Sequence, residues 1–476
     1  MKKQPEHVEI AVVGAGVSGL ATGYALHRAG RSIAVLEAGD TVGGVVQTLH
    51  WHDALIELGA NSFQMKSPEL RQLFRELDIE DKLVSGSETA KNRFILRGGK
   101  LQAVPLSPPA VFTTGILSAR SKLRVLIEPF LCPKNIQDES LASFMRRRFG
   151  TEVVDYIVNP FIAGVYAADP EKLSLRAVFP LLAELEEEHG SVIRGMIVRM
   201  LRARGEKKTP KERGLFSFRD GMQTIAHALA GRLGAALHTS HAVREISRKG
   251  KAFAITMESP QGETVLRADR LVLATPAHVT ARLAAELAPQ AAAAFDKITY
   301  PPLAIVHHQI AKEKIGHPLD GFGFLVPARE ERSILGCIFS SSLFPGRSPQ
   351  GMALLTTFIG GQRQPELTRL PKRTIGRLAF DELKELLNIS TEPDAERVHI
   401  IEKAIPSYGL QHPRLLQEIA AQEKDGLYFG GNFRGGPSVG DCLLNSLQLA
   451  DSILRTHHVT ENRTVTADPA EALAGE

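Results

Sequence analysis

Cysteine is scarce in this chain. It has three (Cys132, Cys337, Cys442) in 476 residues, odd in number and far apart. That argues against a disulfide framework and suits a reducing cytosol. An excess of one charge is lacking too: 57 Lys and Arg against 53 Asp and Glu leave +4. So small a balance gives no argument for nucleic acid, and no nucleic-acid motif occurs. No apolar run approaches the roughly 18 residues that span a bilayer. The opening MKKQPEHVEI has charge but no apolar h-region, so no signal peptide is expected before the first strand. Internal repeats, a Walker A lysine loop and a Cys/His cluster are absent from the sequence. His50 and His52 lack a third ligand, so no metal is expected.

What remains is ordinary globular composition, 43% hydrophobic and 23% charged, in a chain long enough for two or three substructures. Its organising stretch is Val8 to Thr48. Val8 to Val13 reads as a buried parallel strand. Gly14, Gly16 and Gly19 follow as G-x-G-x-x-G, Val17 to Ala29 takes helical spacing, and Arg31 to Leu36 returns to strand, ending on Glu37. This is a dinucleotide-binding βαβ unit. Gly14 allows the turn, Gly16 lets backbone N–H groups approach a pyrophosphate, and Gly19 lets helix and strand pack closely. The helix N-terminus presents its positive dipole end to the phosphates, and Glu37 suits an adenosine ribose.

Gly43 and Gly44 add a second close-approach turn, with Thr48 after it. The pattern E-x5-G-G-x3-T resembles the flavin-binding family that includes amine oxidases, phytoene desaturases and protoporphyrinogen oxidases. Most members carry Arg after that glycine pair, where this chain has Val45. The resemblance implies FAD, held by Gly14, Ala15, Gly16, Ser18, Gly19, Glu37, Ala38, Gly43, Gly44 and Val45. It also implies an E-x-G segment beside the cofactor, with Glu57, Gly59, Ala60 and Asn61 as candidates. The alternative for Glu57 is a surface carboxylate on a turn.

Further along, Ser67 to Leu83 reads as an amphipathic helix opened by Ser67 and Pro68. NRFILRGGKLQAVP reads as a hairpin around Gly98 and Gly99. That segment resembles the protoporphyrinogen oxidase stretch whose Arg pairs with a substrate propionate, here Arg93. A guanidinium suits the task because it binds carboxylate bidentately and stays charged. Ser107 to Pro133 mixes apolar residues with Arg120, Lys122 and Arg124, which suits a helix on a membrane surface or one packed on its neighbours. NPFIAGVYAADPEKLSLRAVFP resembles a segment characteristic of the same family, with Gly164 beside the substrate; Gly164 as a helix stop is the alternative. Ser191 to Arg213 is basic, read as a solvated face or one attracted to anionic lipid.

Gly214 to Leu229 reads as a turn and then a helix. His241 to Ile246 and Leu271 to Ala274 read as strands, and the resemblance implies that Val243 meets adenine through its backbone and that Thr275 lies at the cofactor. Pro301 to Arg397 alternates strands with loops. Within it DGFGFLVP resembles the family's pocket wall, giving Phe322, Gly323 and Leu325, with Phe358 further on. An aromatic and aliphatic slot suits a flat macrocycle. Finally, Leu427 to Phe429 is a strand, Gly430 and Gly431 a close-approach turn, and a helix from about Gly440 would aim its N-terminus at the flavin. Gly431, Asn432, Val439 and Gly440 are the cofactor candidates there. Many protoporphyrinogen oxidases have a basic residue at the position of Asp441. Val459 to Glu476 is expected to fray.

The fold expected is α/β: a Rossmann-like FAD domain (residues 1–85, 214–285 and 405–457) with an inserted α+β substrate domain (86–106 and 286–404). A helical, membrane-binding-like segment (107–213) and a tail (458–476) complete it. The resemblance implies oxidation of protoporphyrinogen IX by six electrons. Hydride passes to flavin N5, O2 is the acceptor and H2O2 the product, and no side chain acts as general base. Three alternatives stay open: coproporphyrinogen III as substrate, another flavin amine oxidase-type enzyme, and a flavoprotein that only binds. Cytoplasmic location is expected, while peripheral contact with the inner face of the membrane and a homodimer are left open.

Overall fold

The computed structural model describes residues 6–90, 92–104, 114–134, 136, 138–204 and 214–465. Two seven-stranded sheets organise it. In the first, five strands run parallel in the order Leu237–His238, Ile33–Leu36, His7–Val13, Gly262–Leu273 and Leu427–Phe429. The long Gly262–Leu273 strand also carries an antiparallel extension, Ala252–Ser259 and Ala242–Lys249. Strand order reverses beside His7–Val13, the place where an open α/β sheet leaves a crevice at its carboxyl ends.

Both faces of this sheet are covered. Ile10, Val12, Ile33 and Val35 pack under helices Val17–Arg28, Thr224–Leu233 and Val439–Val465. Val8, Ala11, Ala34 and Leu271 pack under helices Ala277–Ala284, Pro289–Asp296 and His412–Ala420. Two-sided burial is why these strands read as continuous apolar runs rather than alternating ones.

The second sheet runs Ala395–Ile401, Leu303–Ala311, Met352–Gly360, Gly336–Phe339, Gly321–Leu325, Asn92–Arg97 and Lys100–Ala103. Its pairs are antiparallel except Gly321–Leu325 on Asn92–Arg97. One face (Ala304, Val306, Phe324, Cys337, Leu355) packs on helix Lys372–Leu387 through Ile375, Ala379, Phe380 and Leu383. Between Lys100–Ala103 and the return to the first sheet lie helices that include Ala119–Ile127, Leu141–Phe149, Asn159–Tyr166, Pro180–His189 and Val192–Arg204. They are joined by the fully buried Glu128. It accepts from the Arg148 guanidinium, the Ser191 hydroxyl and the first N–H groups of Val192–Arg204, at Val192 and Ile193. A carboxylate there satisfies donors the helix cannot, and it suits the positive helix end.

Several sequence expectations are corrected. The helix expected over Ser67 to Leu83 ends at Glu76, because Asp78 turns left-handed and Leu83–Ser85 becomes a strand. The turn expected at Gly214 is strand Leu215–Phe218, paired with Leu83–Ser85. Lys372–Leu387 is a 16-residue helix inside a region read as strands and loops. The last helix runs through to Val465, past the start of the expected tail; residues 466–476 lie outside the described ones. Parts of the basic stretch (205–213) and of the amphipathic stretch (107–113) lie outside them as well.

Candidate active site

The first turn is built as the glycine spacing requires. A Cβ on Gly19 would lie 1.8 Å from the Gly14 carbonyl oxygen, so helix and strand touch only because none is there. Gly43 donates its N–H to Ala15 O (2.8 Å), which seats the second glycine turn against the first. A Cβ on Gly59 would come within 1.9 Å of Val45 O. Gly16, by contrast, has open space: a Cβ there meets nothing within 4 Å. The trough over Gly16 and Gly44, at the N-terminus of Val17–Arg28, therefore has room for a pyrophosphate.

Glu37 accepts from Ala15 N–H (2.7 Å) and Gly39 N–H (2.9 Å), so its carboxylate braces both turns and keeps a lone pair on each oxygen for a ribose. The chain passes beside it again: His241 N–H donates to Glu37 O and Ser240 N–H to Gly39 O, bringing the buried Val243 to this end. Thr275 lies against Gly14, and Gly431 against Thr275. Ser18 and Val439 are buried, Ala38 is exposed, and Ala60 and Asn61 are half-buried. Val45, which follows the second glycine pair, is 47% exposed.

Helix Val439–Val465 begins with Ser438 and Asp441 in reciprocal contact. Ser438 Oγ accepts from Asp441 N–H (3.2 Å) and donates to Asp441 Oδ2 (2.5 Å). The Ser438 hydroxyl thus caps the helix N-terminus. Lys66 Nζ reaches both Asp441 oxygens, at 2.6 and 2.7 Å. A positive charge thus reaches Asp441 from another element and balances it. Three tyrosines missed in the sequence converge here. Tyr408 donates to Asn432 O, Tyr300 donates to Asn432 Oδ1 (3.3 Å), and Tyr166 stands edge-on to Tyr408. Burial pushes the Tyr300 phenol up to about 12 and that of Tyr408 well above its ordinary value, so both remain donors. Burial and then the Asp441 charge push Tyr166 up to about 12. Single tyrosines, one ending helix Asn159–Tyr166 and two in loops, give no sequence signal of such convergence.

The second sheet contributes the other wall. Arg93 lies opposite Gly323, Gly323 opposite Ile338, Leu325 opposite Gly336, and Gly336 opposite Phe358. Residues directly opposite share a face. Register therefore places Arg93, Gly323, Leu325 and Phe358 together on the face turned away from helix Lys372–Leu387. Ile338, which the sequence reading missed, joins them. Phe322 occupies a bulge, and its ring lies 5.8 Å from the Arg93 guanidinium carbon. Gly164 is interior to helix Asn159–Tyr166, not its stop. A Cβ there would fall 2.4 Å from Leu325 Cδ2. Among the described residues Arg93 is exposed and has no carboxylate partner, whereas Arg97 is held by Glu152 and Lys66 by Asp441.

Glu57 is buried, which overturns the alternative of a surface carboxylate, and its carboxylate is engaged by Thr48, Met222 and Arg347. Burial raises its carboxyl despite Arg347. A cleft of about 1010 Å³ runs along the outer edge of Leu427–Phe429 between Arg248, Arg270, Glu423 and Lys424, and none of the predicted substrate residues lines it. His50 and His52 are at the Thr48–Trp51 hairpin, and no group of three metal-ligating side chains occurs among the described residues.

A family profile described as flavin containing amine oxidoreductase matches residues 17–454. The chain belongs to that family. It is 32% identical to protoporphyrinogen oxidase 2, chloroplastic/mitochondrial, of Arabidopsis thaliana, over 94% of this chain and 93% of that one. It is 33% identical to the mitochondrial protoporphyrinogen oxidase of Nicotiana tabacum, covering 94% of each. Coproporphyrinogen III oxidase of Bacillus subtilis (strain 168) is 26% identical, over 91% of this chain and 95% of that one. A crystal structure described as a putative protoporphyrinogen oxidase from Exiguobacterium sp. 255-15 superposes with a TM-score of 0.79 at 23% identity, covering 96% and 100%. Membership brings FAD as cofactor, and the open trough over Gly16 and the close-packed glycine turns fit it.

Proposed function

We propose that this flavoprotein oxidises protoporphyrinogen IX to protoporphyrin IX in heme biosynthesis. Three O2 would take up six electrons and six hydrogens and leave as three H2O2. The observation that carries the reading is the exposed, acid-free Arg93 on the same sheet face as Gly323, Leu325 and Phe358, with Gly164 pressed on Leu325. When bound, FAD accepts hydride. The protein binds and orients: Arg93 anchors a propionate, the apolar face holds the ring flat, and the start of Val439–Val465 favours negative charge beside it. Arg93, which has no carboxylate partner among the described residues, can take one propionate of a substrate with two carboxylates. Coproporphyrinogen III, with four, is the second reading, favoured by the full-length likeness to the Bacillus subtilis enzyme.

Exposed Leu123, Leu126 and Phe130 adjoin exposed Met196, Met200 and Leu201, with Arg194 over the Phe130 ring and Arg120, Lys122 and Arg124 nearby. This supports a helical face resting on an anionic membrane from the cytoplasmic side. Among the described residues no helix is long and apolar enough to cross a membrane. The deciding assay is growth of porphyrin fluorescence in air with protoporphyrinogen IX and coproporphyrinogen III supplied in parallel, against heat-killed controls. Faster growth on protoporphyrinogen IX is expected. No growth above control on either, with FAD bound, sinks both readings.

A further inference from the structure

Arg347 and Glu57 meet across the junction of the two sheets, 3.5 Å apart, 3% and 4% exposed. Arg347 comes from the loop after Phe344 and also binds Ser217 Oγ (2.5 Å) and Phe218 O (3.2 Å). Its backbone carbonyl accepts from Leu55 N–H, so the loop is pinned to strand Ala54–Glu57. Glu57 accepts from Met222 N–H (2.9 Å) and from Thr48 Oγ1 (2.7 Å). Thr48 Oγ1 itself accepts Gln223 N–H (3.0 Å), so its own proton is turned to Glu57. The line continues. Gln223 Nε2 donates to Gln47 Oε1 (2.7 Å), and Gln47 Nε2 donates to Val42 O (2.9 Å) and Gly44 O (3.1 Å). The buried Arg347–Glu57 ion pair is thus linked, through hydrogen bonds that become part-exposed toward Gln47, to the second glycine turn.

We propose that Arg347 is a positioning residue for FAD: its charge lets buried Glu57 act as an acceptor, and through Thr48, Gln223 and Gln47 that pair holds the Val42–Gly44 turn against the cofactor. The proposal rests on the FAD reading of that turn, not on the identity of the porphyrinogen. An isolated buried carboxylate is costly, whereas a pair removed together costs little. Burial pushes the Glu57 carboxyl up, while Arg347, Thr48 and Met222 pull it back. His307, facing it from Leu303–Ala311, is held neutral by burial, down to about 3. Arg219 and Asp220 of the neighbouring turn are exposed to water. Without Arg347, the gripped state favours a protonated Glu57. Its pKa then exceeds that of the loosened state, so FAD binding is kept at low pH and lost as pH rises.

The test titrates apo-protein with FAD by flavin fluorescence at pH 6 and pH 8. Arg347→Met should weaken FAD about tenfold or more at pH 8, and less at pH 6. Wild type should show no such slope. Adding Glu57→Gln to Arg347→Met should restore affinity and remove the slope. Equal affinity of Arg347→Met and wild type overturns the proposal, and so does an equal loss at both pH values with no recovery in the double variant. Should Arg347→Met not fold, Thr48→Val against Thr48→Ser tests the same chain. Thr48→Val should bind FAD more weakly than Thr48→Ser, and equal affinities overturn it.

Discussion

A charged side chain without an opposite charge is either wasted or waiting for a ligand, and Arg93 is the side chain this concerns. Arg93→Ala removes a charge-assisted, bidentate-capable donor. KM for the porphyrinogen should rise by about tenfold to a hundredfold, since hydrogen bonds to charged groups are worth about 1.5–3 kcal/mol. FAD should stay bound; an unchanged KM removes Arg93 from the site. Gly16→Ala separates two effects that glycines usually mix. Nothing in the protein meets the added methyl, so the apo-protein should fold with its melting temperature unchanged, while FAD binding weakens. A fall in apo melting temperature would place the effect in packing. The strand that carries Arg93 was legible because its hairpin signal is local. The partners of Glu57 were not, since Arg347 and Met222 reach it from distant stretches and no local pattern encodes that meeting.

At the scale of elements, Glu152 ties the second sheet to the helices. Its carboxylate accepts from Arg97 Nη2 (2.6 Å) and from the Ser118 hydroxyl (2.6 Å) and N–H (3.0 Å). Burial raises this group, but the hydrogen bonds of Ser118, Ser121 and Arg97 outweigh it and hold it at about 2. A lowered folded pKa gives stability that is present above the ordinary value and lost as pH falls through the folded one. Glu152→Gln should therefore flatten acid destabilisation between about pH 4.5 and 2; an acid limb like that of wild type refutes the link. The Lys372–Leu387 helix shows what was legible and overlooked. Its buried Ile375, Ala379, Phe380, Leu383 and Leu387 keep helical spacing, and Asn388 closes it in the left-handed conformation. The true period was present but sat among strands. The short strand Leu215–Phe218 had no such signal, because pairing with Leu83–Ser85, not propensity, makes it a strand.

Across the whole molecule, cofactor candidates come from three far-apart stretches that meet at one crevice. FAD should accordingly stabilise the fold: at 100 times Kd it adds about 2.7 kcal/mol. Calorimetry of apo-protein with and without FAD reads this directly, and coincident melting curves contradict it. Membrane contact belongs to this scale as well. Sedimentation with anionic vesicles should carry the protein down, and Phe130→Ser with Met200→Ser should leave it in the supernatant while turnover in detergent is kept. Unchanged sedimentation assigns the patch to another partner. The central strands of the parallel sheet were legible, because a two-sided core imposes apolar runs and glycine turns, whereas its two-residue edge strand Leu237–His238 was not. The placing of the second sheet's faces was not, since register depends on pairing across long separations.

That register has a practical side. Along Gly321–Leu325, Gly336–Phe339 and Met352–Gly360, neighbouring positions alternate between a layer that packs on helix Lys372–Leu387 and a layer turned toward the flavin half. Mutational tolerance should alternate with them. A library restricted to positions 325, 338 and 358 would sample ring size and side-chain shape while the packed layer at 324, 337 and 355 stays intact. Three strands thus amount to an interleaved pair of alphabets, one spelling durability and the other choice of macrocycle.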